Sequence, residues 1–542
     1  MKAICQTGSF EAFSMYNAIY VDKTELIYSL VSLPNRIFIS RPRRFGKSLT
    51  LDTIATLFET GVEPYFKGTW IYDKWTEPTY PVLRLNFLNF DKNSLEKFNN
   101  KLNSKITEFA ELNHVTSYKE KEEAEDSIDH LLEQLRLENR QIVILIDEYD
   151  CQMTANINNE TLYKQFQEKI KSFYANIKDK FAIKFLGITG VTRLKDVSIF
   201  SVGSDINDIT NASAYSQMIG FTRDEIKKYY IDYLKLASSY ENNCSVDDVT
   251  DTQLESMLDM MAQNYDGYCF DEDYEKKVFS TWSVNKFFQT MIEKKKVQFG
   301  EYWYDNGGLP SILVNYLKTH ELNIFEYLDK DKFLKVSSDD FKNPTALTTI
   351  NQNVLMCQTG YLTLRSDLNK TSTVALGIPN GEIYKALNRL LANNIFKGNT
   401  DITDDYGRSL LEVGTVDDII NLFNSALNSV SYDNYPIVSE SSVQNMLKLY
   451  LLGAHQEVLS EVHEAKGRAD LVVNTDNRRI VFEFKYAKNE AEAKSKLSEA
   501  VEQIKTRDYG NILPKKNELI RIAAVFNADP KVRAFTENQI VP

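Results

Sequence analysis

The chain has 542 residues, 43% of them hydrophobic, and a formal net charge of -13. Its length predicts two to four domains with ample core. No apolar run reaches the roughly 20 residues of a membrane span, and the polar N-terminal region lacks a signal-peptide core, so we expect a cytoplasmic protein without a membrane segment. The five scattered cysteines show no C-x-x-C spacing and predict reduced thiols, which argues against a disulfide framework and a zinc site.

The acidic charge is unevenly distributed along the chain. From Ser431 to Pro542 the Lys+Arg and Asp+Glu residues number 16 each, so the whole deficit belongs to the first 430 residues. This balance argues against strong non-specific binding of nucleic acid by the chain as a whole. It remains compatible with phosphate contacts from a local patch in the last segment.

The first motif is a loop that joins a strand candidate at residues 36–40 to a helical pattern at residues 49–58. The loop reads Arg41-Pro42-Arg43-Arg44-Phe45-Gly46-Lys47-Ser48. It meets the phosphate-loop pattern G-x-x-x-x-G-K-[ST] except at its first position, where Arg replaces Gly. Gly46 would let the backbone approach a phosphate, Lys47 would reach the β- and γ-phosphates, and Ser48 would ligate Mg²⁺. By itself, the loop fits an ordinary basic turn before a helix equally well.

An apolar strand at residues 141–146 ends in Asp147 and Glu148 and is typical of a central parallel strand. Asp147 would hold Mg²⁺ through water, and Glu148 would polarise an attacking water. An isolated acidic strand end is more often a plain strand terminus. Together with the preceding loop, it predicts a site for ATP and Mg²⁺ in which Arg43 and Arg44 also contact the nucleotide.

Further strands and helical patterns alternate on either side of this strand. They are Pro81 to Phe87, Leu95 to Leu112, Lys119 to Asn139 and Phe181 to Gly190. The alternation predicts an α/β fold with a parallel sheet, and with the phosphate loop it indicates a P-loop NTPase domain at residues 1–221. Thr189 or Thr192 would lie at a strand end near the γ-phosphate as a polar sensor, and Arg193 would contact the charge of the nucleotide. A turn after a strand explains these three residues at least as well.

The middle of the chain is predominantly helical from residue 222 to 345 and predicts a helical lid or small bundle. Its aromatic residues Tyr302, Trp303 and Tyr304 are candidates for nucleobase stacking, but core packing is the better interpretation. Residues 346–430 predict a connector with short strands and a turn, within which Cys357 to Leu364 is one strand candidate; a winged-helix-like fold is compatible with it.

The last domain, residues 431–542, shows the order helix, strand, strand, strand, helix, strand. The segments are Ser442 to Gly453, Gln456 to Val462, Ala469 to Asn474, Arg479 to Tyr486, Glu490 to Thr506 and Leu519 to Phe526. Asp470 and Glu483 fall on adjacent strands, and Lys485 lies on the same strand face as Glu483 because strand side chains alternate.

Two carboxylates and a lysine in this arrangement are typical of metal-dependent phosphodiester cleavage. Asp470 and Glu483 would bind a divalent cation, and Lys485 would contact the nucleophile or the scissile phosphate. Glu440 and Gln503 are candidates for further ligands. By itself, Glu-x-Lys on a strand is usually a surface salt bridge. The preceding Gly467-Arg468-Ala469 and the helix that carries Gln503, Arg507 and Tyr509 favour the nuclease-like interpretation, a restriction-endonuclease-like α/β domain.

As a set, the motifs resemble the prokaryotic proteins that combine an N-terminal AAA-ATPase-like domain with a C-terminal PD-(D/E)XK nuclease-superfamily domain. The resemblance covers nearly the whole chain and includes that family's replacement of the first P-loop glycine. It rests on Tyr20-Val21-Asp22-Lys23-Thr24, the loop Arg41 to Ser48, Ile146 to Asp150, Ile199-Phe200-Ser201, Tyr265 to Tyr268, Thr359 to Thr363, Ile378-Pro379-Asn380, Gly467 to Asp470 and Glu483-Phe484-Lys485.

The resemblance implies ATP binding at Lys47 and Ser48, a nuclease fold with its active pattern intact, and nucleic acid as the partner. One departure is that the Tyr-His pair expected after Glu440 is absent, which leaves the role of Glu440 open. Two functions therefore remain: an ATP-gated, Mg²⁺-dependent nuclease, or an ATP-dependent switch with a non-cleaving binding domain. A homo-oligomer is compatible with either, and Arg43, Arg44 or Arg193 would then act across a subunit interface.

Overall fold

A computed structural model provides the structure of the chain. It describes residues 1–33, 35–178, 180–194, 206–303, 311–317, 320, 324–344, 346–347, 349–396, 406–454, 457–464, 467–510 and 518–542. The motif Ile199-Phe200-Ser201, Tyr304 and Lys466 lie outside these residues. The chain divides into two compact units, the first comprising Met1–Leu322 with Asp331–Ile383 and the second Asn323–Lys330 with Tyr384–Pro542.

The first unit is built on a five-stranded parallel sheet of order β2-β3-β4-β1-β5. Its strands are β1 (Asn35–Ser40), β2 (Val82–Asn86), β3 (Ile142–Asp147), β4 (Ile183–Gly190) and β5 (Asn207–Asp208). Every residue of β3 and β4 is buried, as expected for central parallel strands covered on both faces. The carboxyl ends of these strands therefore meet at one edge of the sheet, and the α/β class predicted from the sequence is confirmed.

Helices supply the crossovers and the remainder of the first unit. They are α1 (Glu11–Met15), α2 (Thr24–Val31), α3 (Lys47–Thr60), α4 (Leu95–Leu112), α5 (Ala124–Leu137), α6 (Cys151–Ala155), α7 (Glu160–Ile177), α8 (Arg223–Tyr229), α9 (Ile231–Asn242), α10 (Asp251–Tyr265), α11 (Thr281–Lys294), α12 (Ser311–Leu317), α13 (Ser338–Lys342), α14 (Gln352–Gln358) and α15 (Gly381–Ile395), which continues into the second unit. Short 3-10 turns cover Phe87–Asn89 and Val246–Asp248 in this unit and Ile324–Glu326 in the second unit.

The helices α8 to α11 share an aromatic-rich core, in which Tyr230 stacks on Phe288 with 5.3 Å between ring centroids. A small antiparallel sheet of order β6-β8-β7 follows, with β6 (Leu334–Ser337), β7 (Thr363–Leu364) and β8 (Thr373–Gly377). The predicted strand at Cys357 to Leu364 shrinks to β7, because α14 takes Cys357 and Gln358 and a turn at Thr359–Gly360 separates the two.

The second unit is a mixed five-stranded sheet of order β13-β12-β11-β10-β9. Its elements are α16 (Tyr406–Val413), α17 (Val416–Asn428), α18 (Glu440–Gly453), β9 (Glu457–Glu464), β10 (Gly467–Asn474), β11 (Arg478–Ala487), α19 (Glu490–Arg507), β12 (Glu518–Asn527) and β13 (Ala534–Ile540). β11 pairs with β12 in parallel, whereas β9, β10 and β13 are antiparallel to their neighbours. From α18 onwards the elements follow the predicted chain order of helix, three strands, helix and strand, and β13 adds an edge strand after them. The helices α16 and α17 lie in the segment that was predicted as a connector with short strands and a turn.

Among the described helices, none has the length and apolar composition needed to cross a bilayer.

Candidate functional sites

The loop between β1 and α3 forms the first site. Gly46 adopts φ 109°, a left-handed conformation that favours glycine, and α3 begins at the next residue, Lys47. The side chain of Lys47 is 4% exposed, and its Nζ donates to the backbone carbonyls of Arg41 at 3.0 Å and Pro42 at 3.3 Å. The ammonium group therefore lies inside the loop, where a phosphate oxygen could replace a carbonyl as its partner.

Asp147 connects this loop to the carboxyl ends of three strands. The hydroxyl of Ser48 donates to Oδ2 of Asp147 at 2.6 Å, and the hydroxyl of Thr189, on β4, donates to Oδ1 at 2.5 Å. Asn86, the last residue of β2, places its amide 3.5 Å from Oδ2. Asn86 was not predicted from the sequence, although its position at the end of the strand next to β3 is a usable signal.

Glu148 lies directly after β3 with φ 54°, and its Oε1 is 3.7 Å from Nζ of Lys47. Burial raises the pKa of Glu148, the nearby acids Asp150 and Asp147 raise it further, and the charge of Lys47 opposes this shift. A carboxylate with a raised pKa accepts a proton more readily, which suits a group that activates water.

Asp150 and Thr192 pair with each other. Asp150 Oδ2 accepts hydrogen bonds from the backbone N–H of Thr192 at 2.7 Å and from its hydroxyl at 2.6 Å. Thr192 is fully buried and its hydroxyl is bound to Asp150. Of the two threonines suggested as sensors, Thr189 is the one that bonds to Asp147.

The arginines of this region have different environments. Arg41 is buried, and its guanidinium lies 4.1 Å from the ring centroid of Phe270 while donating to the carbonyl of Thr210 at 2.6 Å. Arg44 lies over the ring of Trp282 at 4.3 Å, and burial lowers its pKa. Arg193 forms an ion pair with Asp208 rather than joining the loop.

A cavity of about 530 Å³ opens beside the loop, within the first unit. It is lined by Arg43, Gly46, Lys47 and Glu148 on the loop side and by Gln6 and Asn285, among others, beyond it. Trp303 does not line this cavity: it is fully buried, donates to the carbonyl of Arg43 at 3.2 Å and packs against Tyr361, which is the core role expected for it. Tyr302 packs against the aromatic core of α8 to α11.

The second site lies on β10 and β11. These strands pair in antiparallel register at Leu471 and Phe482, which brings Asp470 and Glu483 side by side. Glu483 is fully buried, and its Oε1 is 2.7 Å from Nζ of Lys485. Asp470 Oδ2 accepts from the backbone N–H of Phe484 at 2.8 Å. The structure thus brings together the three residues that the sequence singled out.

Residues of α18 complete this cluster. Glu440, the first residue of the helix, places its Oε1 3.2 Å from Nζ of Lys485, so the lysine bridges two carboxylates. One turn later Gln444, a residue that the sequence analysis did not propose, donates from its side-chain amide to the backbone carbonyl of Asp470. Its signal was the i, i+4 spacing from Glu440, which puts both residues on one helix face.

The charge balance of the cluster favours a cation. Burial raises the pKa of Glu483 to about 7, and the neighbouring charge of Asp470 adds to the shift against the effect of Lys485. Oε2 of Glu483 is buried and has no hydrogen-bond partner among the described residues. Carboxylate oxygens of this kind fit Mg²⁺ or Mn²⁺. Within the described part of the chain, however, no three acidic, His or Cys side chains are already arranged to hold a metal ion.

Gln503 and Tyr509 contact each other beside this cluster rather than joining it. The side-chain amide of Gln503 donates to the Tyr509 hydroxyl at 3.3 Å, and Nη1 of Arg507 donates to the same oxygen at 2.8 Å. This contact occupies the amide nitrogen of Gln503, whereas a metal ion would bind its carbonyl oxygen, so the ligand role of Gln503 stays a prediction.

Family models define the class of protein. Residues 5–200 match the model of the AAA-ATPase-like family, described as predicted AAA-ATPases, and residues 438–536 match that of the PD-(D/E)XK nuclease superfamily. The chain thus carries an AAA-ATPase-like domain at residues 5–200 and a PD-(D/E)XK nuclease-superfamily domain at residues 438–536, which confirms the resemblance drawn from its motifs.

Individual proteins are similar over most of the chain. An uncharacterized protein in the vnfD 5′ region of Azotobacter chroococcum mcd 1 is 26% identical over 529 residues, which cover 94% of this chain and 93% of the relative. Among solved structures, the Walker-type ATPase of Pyrococcus abyssi aligns with a TM-score of 0.35 and 11% identity, covering 67% of this chain and 94% of that one. Cdc6p from Pyrobaculum aerophilum aligns with a TM-score of 0.22 and 10% identity, covering 68% and 92%.

Proposed function

We propose that the chain hydrolyses ATP in its first unit and that this nucleotide cycle gates a Mg²⁺-dependent nuclease in its second unit, acting on DNA or RNA. The first site would then take ATP with Mg²⁺, and the second a divalent cation and a nucleic-acid strand. The protein would act in the cytoplasm, where thiols such as those of its five free cysteines stay reduced.

The ATP part of the proposal is supported by the loop and its cavity. A volume of about 530 Å³ lies in the range of small-molecule sites. Lys47 would exchange its carbonyl partners for phosphate oxygens, and Ser48 and Asp147 would hold Mg²⁺. Glu148, with its raised pKa, would accept the proton of the attacking water.

The observation that carries the nuclease part is the unpartnered Oε2 of the buried Glu483. A buried carboxylate oxygen without a partner costs free energy unless a proton or a cation meets it. Asp470 and Glu483 would bind the divalent cation, which supplies charge neutralisation at the phosphate and lowers the pKa of bound water. Lys485, held between Glu483 and Glu440, would orient towards the phosphate or the attacking water.

A second candidate function is a nucleotide-dependent switch whose nuclease-like domain binds without cleaving. The ion pairs of Lys485 with Glu483 and Glu440 favour it, because they already neutralise the carboxylates that a cation would need. Cleavage would then require Lys485 to release them.

The test is cleavage of single- and double-stranded DNA and RNA in Mg²⁺ or Mn²⁺, with and without ATP. We expect wild-type protein to cleave at least one of these substrates. Lys485→Ala should abolish cleavage, and Lys47→Ala should remove ATP hydrolysis and change the response of cleavage to ATP. Lys494→Ala is a matched control, since Lys494 is an exposed lysine that pairs with Glu490 outside the cluster.

The outcomes separate the two functions. Cleavage that is lost in Lys485→Ala but kept in Lys494→Ala supports the nuclease. ATP hydrolysis without cleavage of any substrate, in protein shown to be folded, supports the switch instead.

A further inference from the structure

The side chain of Arg507, the last residue of α19, crosses the strand that carries Asp470. Gly467 opens that strand, and a Cβ built on Gly467 would lie only 2.5 Å from Cδ of Arg507 and 3.2 Å from its Cγ and Nε. Any larger residue at position 467 would therefore collide with the arginine stem. The absence of a side chain on Gly467 lets Arg507 lie flat against β10.

The guanidinium of Arg507 is anchored on a rigid partner. Its Nη1 donates to the Tyr509 hydroxyl at 2.8 Å. Tyr509 is fully buried in the core between α19 and the sheet, and its carbonyl accepts from Nε of Arg521 at 2.7 Å. Arg507 is thus held at one end by its stem and at the other by a fixed hydroxyl, which leaves little rotamer entropy to lose on binding.

The charge of Arg507 is near the acidic cluster but not neutralised by it. The Tyr509 hydroxyl is the main cause that raises the pKa of Arg507, and the charges of Glu483 and Asp470 raise it further. Among the described residues Arg507 makes no ion pair, whereas Lys485 is bound to two carboxylates. The charge of Arg507 is therefore available to a ligand.

We propose that Arg507 is a phosphate-binding residue of this site and donates its remaining N–H groups to non-bridging oxygens of a nucleic-acid backbone. The inference rests on the proposed function, since it assumes that the second unit binds nucleic acid. A guanidinium presents paired donors that match phosphate oxygens better than an ammonium does. Contact of this kind carries no base information, so it predicts binding that is independent of sequence at this position.

The experiment measures binding apart from cleavage. Full-length protein is titrated into a fluorescein-labelled DNA duplex and the corresponding single strand, about 30 nucleotides long, in Ca²⁺ instead of Mg²⁺, while NaCl is varied from about 50 to 200 mM. Arg507→Met keeps a long stem over Gly467 and removes the charge. Lys505→Met is the matched control, because Lys505 is an exposed cation in the same helical turn.

We expect Arg507→Met to weaken binding about tenfold, the effect of losing a charge-assisted hydrogen bond, and to lower the slope of log K against log[salt] by about one. Lys505→Met should stay within about twofold of wild type. Tyr509→Phe, which removes the anchoring hydroxyl but not the ring, should weaken binding by a smaller factor. A purely structural role of Arg507 would instead lower the melting temperature and leave the salt slope unchanged.

Three results would contradict the proposed role of Arg507, and each has its own meaning. If wild-type protein binds nucleic acid and Arg507→Met binds with the same affinity and salt slope, the role of Arg507 is wrong and the proposed function stands. Equal losses in Arg507→Met and Lys505→Met would likewise overturn it, because they indicate a diffuse charge effect. If wild-type protein binds no nucleic acid, the proposed function and this role both fail.

Discussion

At the residue scale, Glu483 shows how burial outweighs a nearby opposite charge. Lys485 is 2.7 Å from its carboxylate and lowers the pKa, yet burial and the charge of Asp470 raise it to about 7. Since an ordinary Glu titrates near 4.5, the folded protein without metal binds a proton here that the unfolded chain has lost. Its stability therefore falls as the pH rises from about 4.5 to about 7.

This shift predicts a pH-dependent response to Mn²⁺. Because the cation needs the ionised carboxylate, Mn²⁺ should raise the melting temperature at pH 8, and the increase should disappear as the pH falls through about 7. Thermal unfolding without nucleotide measures it. Glu483→Gln should remove the response at every pH, and Glu490→Gln should retain it. An equal Mn²⁺ response at pH 5.5 and pH 8 would contradict the assignment of Glu483.

At the element scale, the sequence was informative where a pattern repeats and a strand ends in polar residues. The uninterrupted apolar run before Asp147 predicted β3, and the apolar and polar alternation around Glu483 predicted β11. Two elements were not predicted from the sequence. β13 was missed because its sequence, AFTENQI, carries mostly polar residues, and α14 was missed because seven residues are too few for a helical period to show.

The residues of the candidate sites were likewise predicted only where a local pattern marks them. Residues within a motif were found from sequence, whereas Asn86 and Gln444 join their sites only through the order of strands and the packing of a helix, which no local pattern encodes. Glu440 was expected at the site as a further ligand, whereas its contact with Lys485 was not predicted, because the sequence does not show how the start of α18 packs on β11.

Two glycines give a matched test of how elements pack. Gly467→Ala places a methyl group against the flexible stem of Arg507, so we expect a loss of stability within about 1 kcal/mol and a loss of nucleic-acid binding close to that of Arg507→Met. Gly190→Ala places it 2.4 Å from the ring of Tyr149, which is fully buried, and should cost about 1–3 kcal/mol. Urea unfolding and DNA titration of both variants check this. Full binding by Gly467→Ala would show that Arg507 needs no fixed path across β10.

At the scale of the whole molecule, each unit has its own sheet and its own candidate site. The phosphate loop and its cavity lie in the first unit, and the acidic cluster lies in the second. Any control of one site by the other must then act as a coupling free energy between distinct sites, and it must be reciprocal for binding. If bound nucleotide changes the affinity of the protein for nucleic acid by some factor, bound nucleic acid should change its affinity for nucleotide by the same factor.

The two units also predict unfolding in two calorimetric transitions rather than one. A non-hydrolysable ATP analogue with Mg²⁺ should raise the transition of the first unit, by about 2.7 kcal/mol in stability at a hundredfold excess over Kd, and Lys47→Ala should remove this effect. Mn²⁺ without nucleotide should raise the other transition, and Glu483→Gln should remove that effect alone. A ligand that binds one unit can move the other transition only through coupling, so the size of any such cross-effect measures the gating free energy directly. A single transition that both ligands raise would instead mean that the units unfold together, and the gating would then have to be sought in variants that separate them.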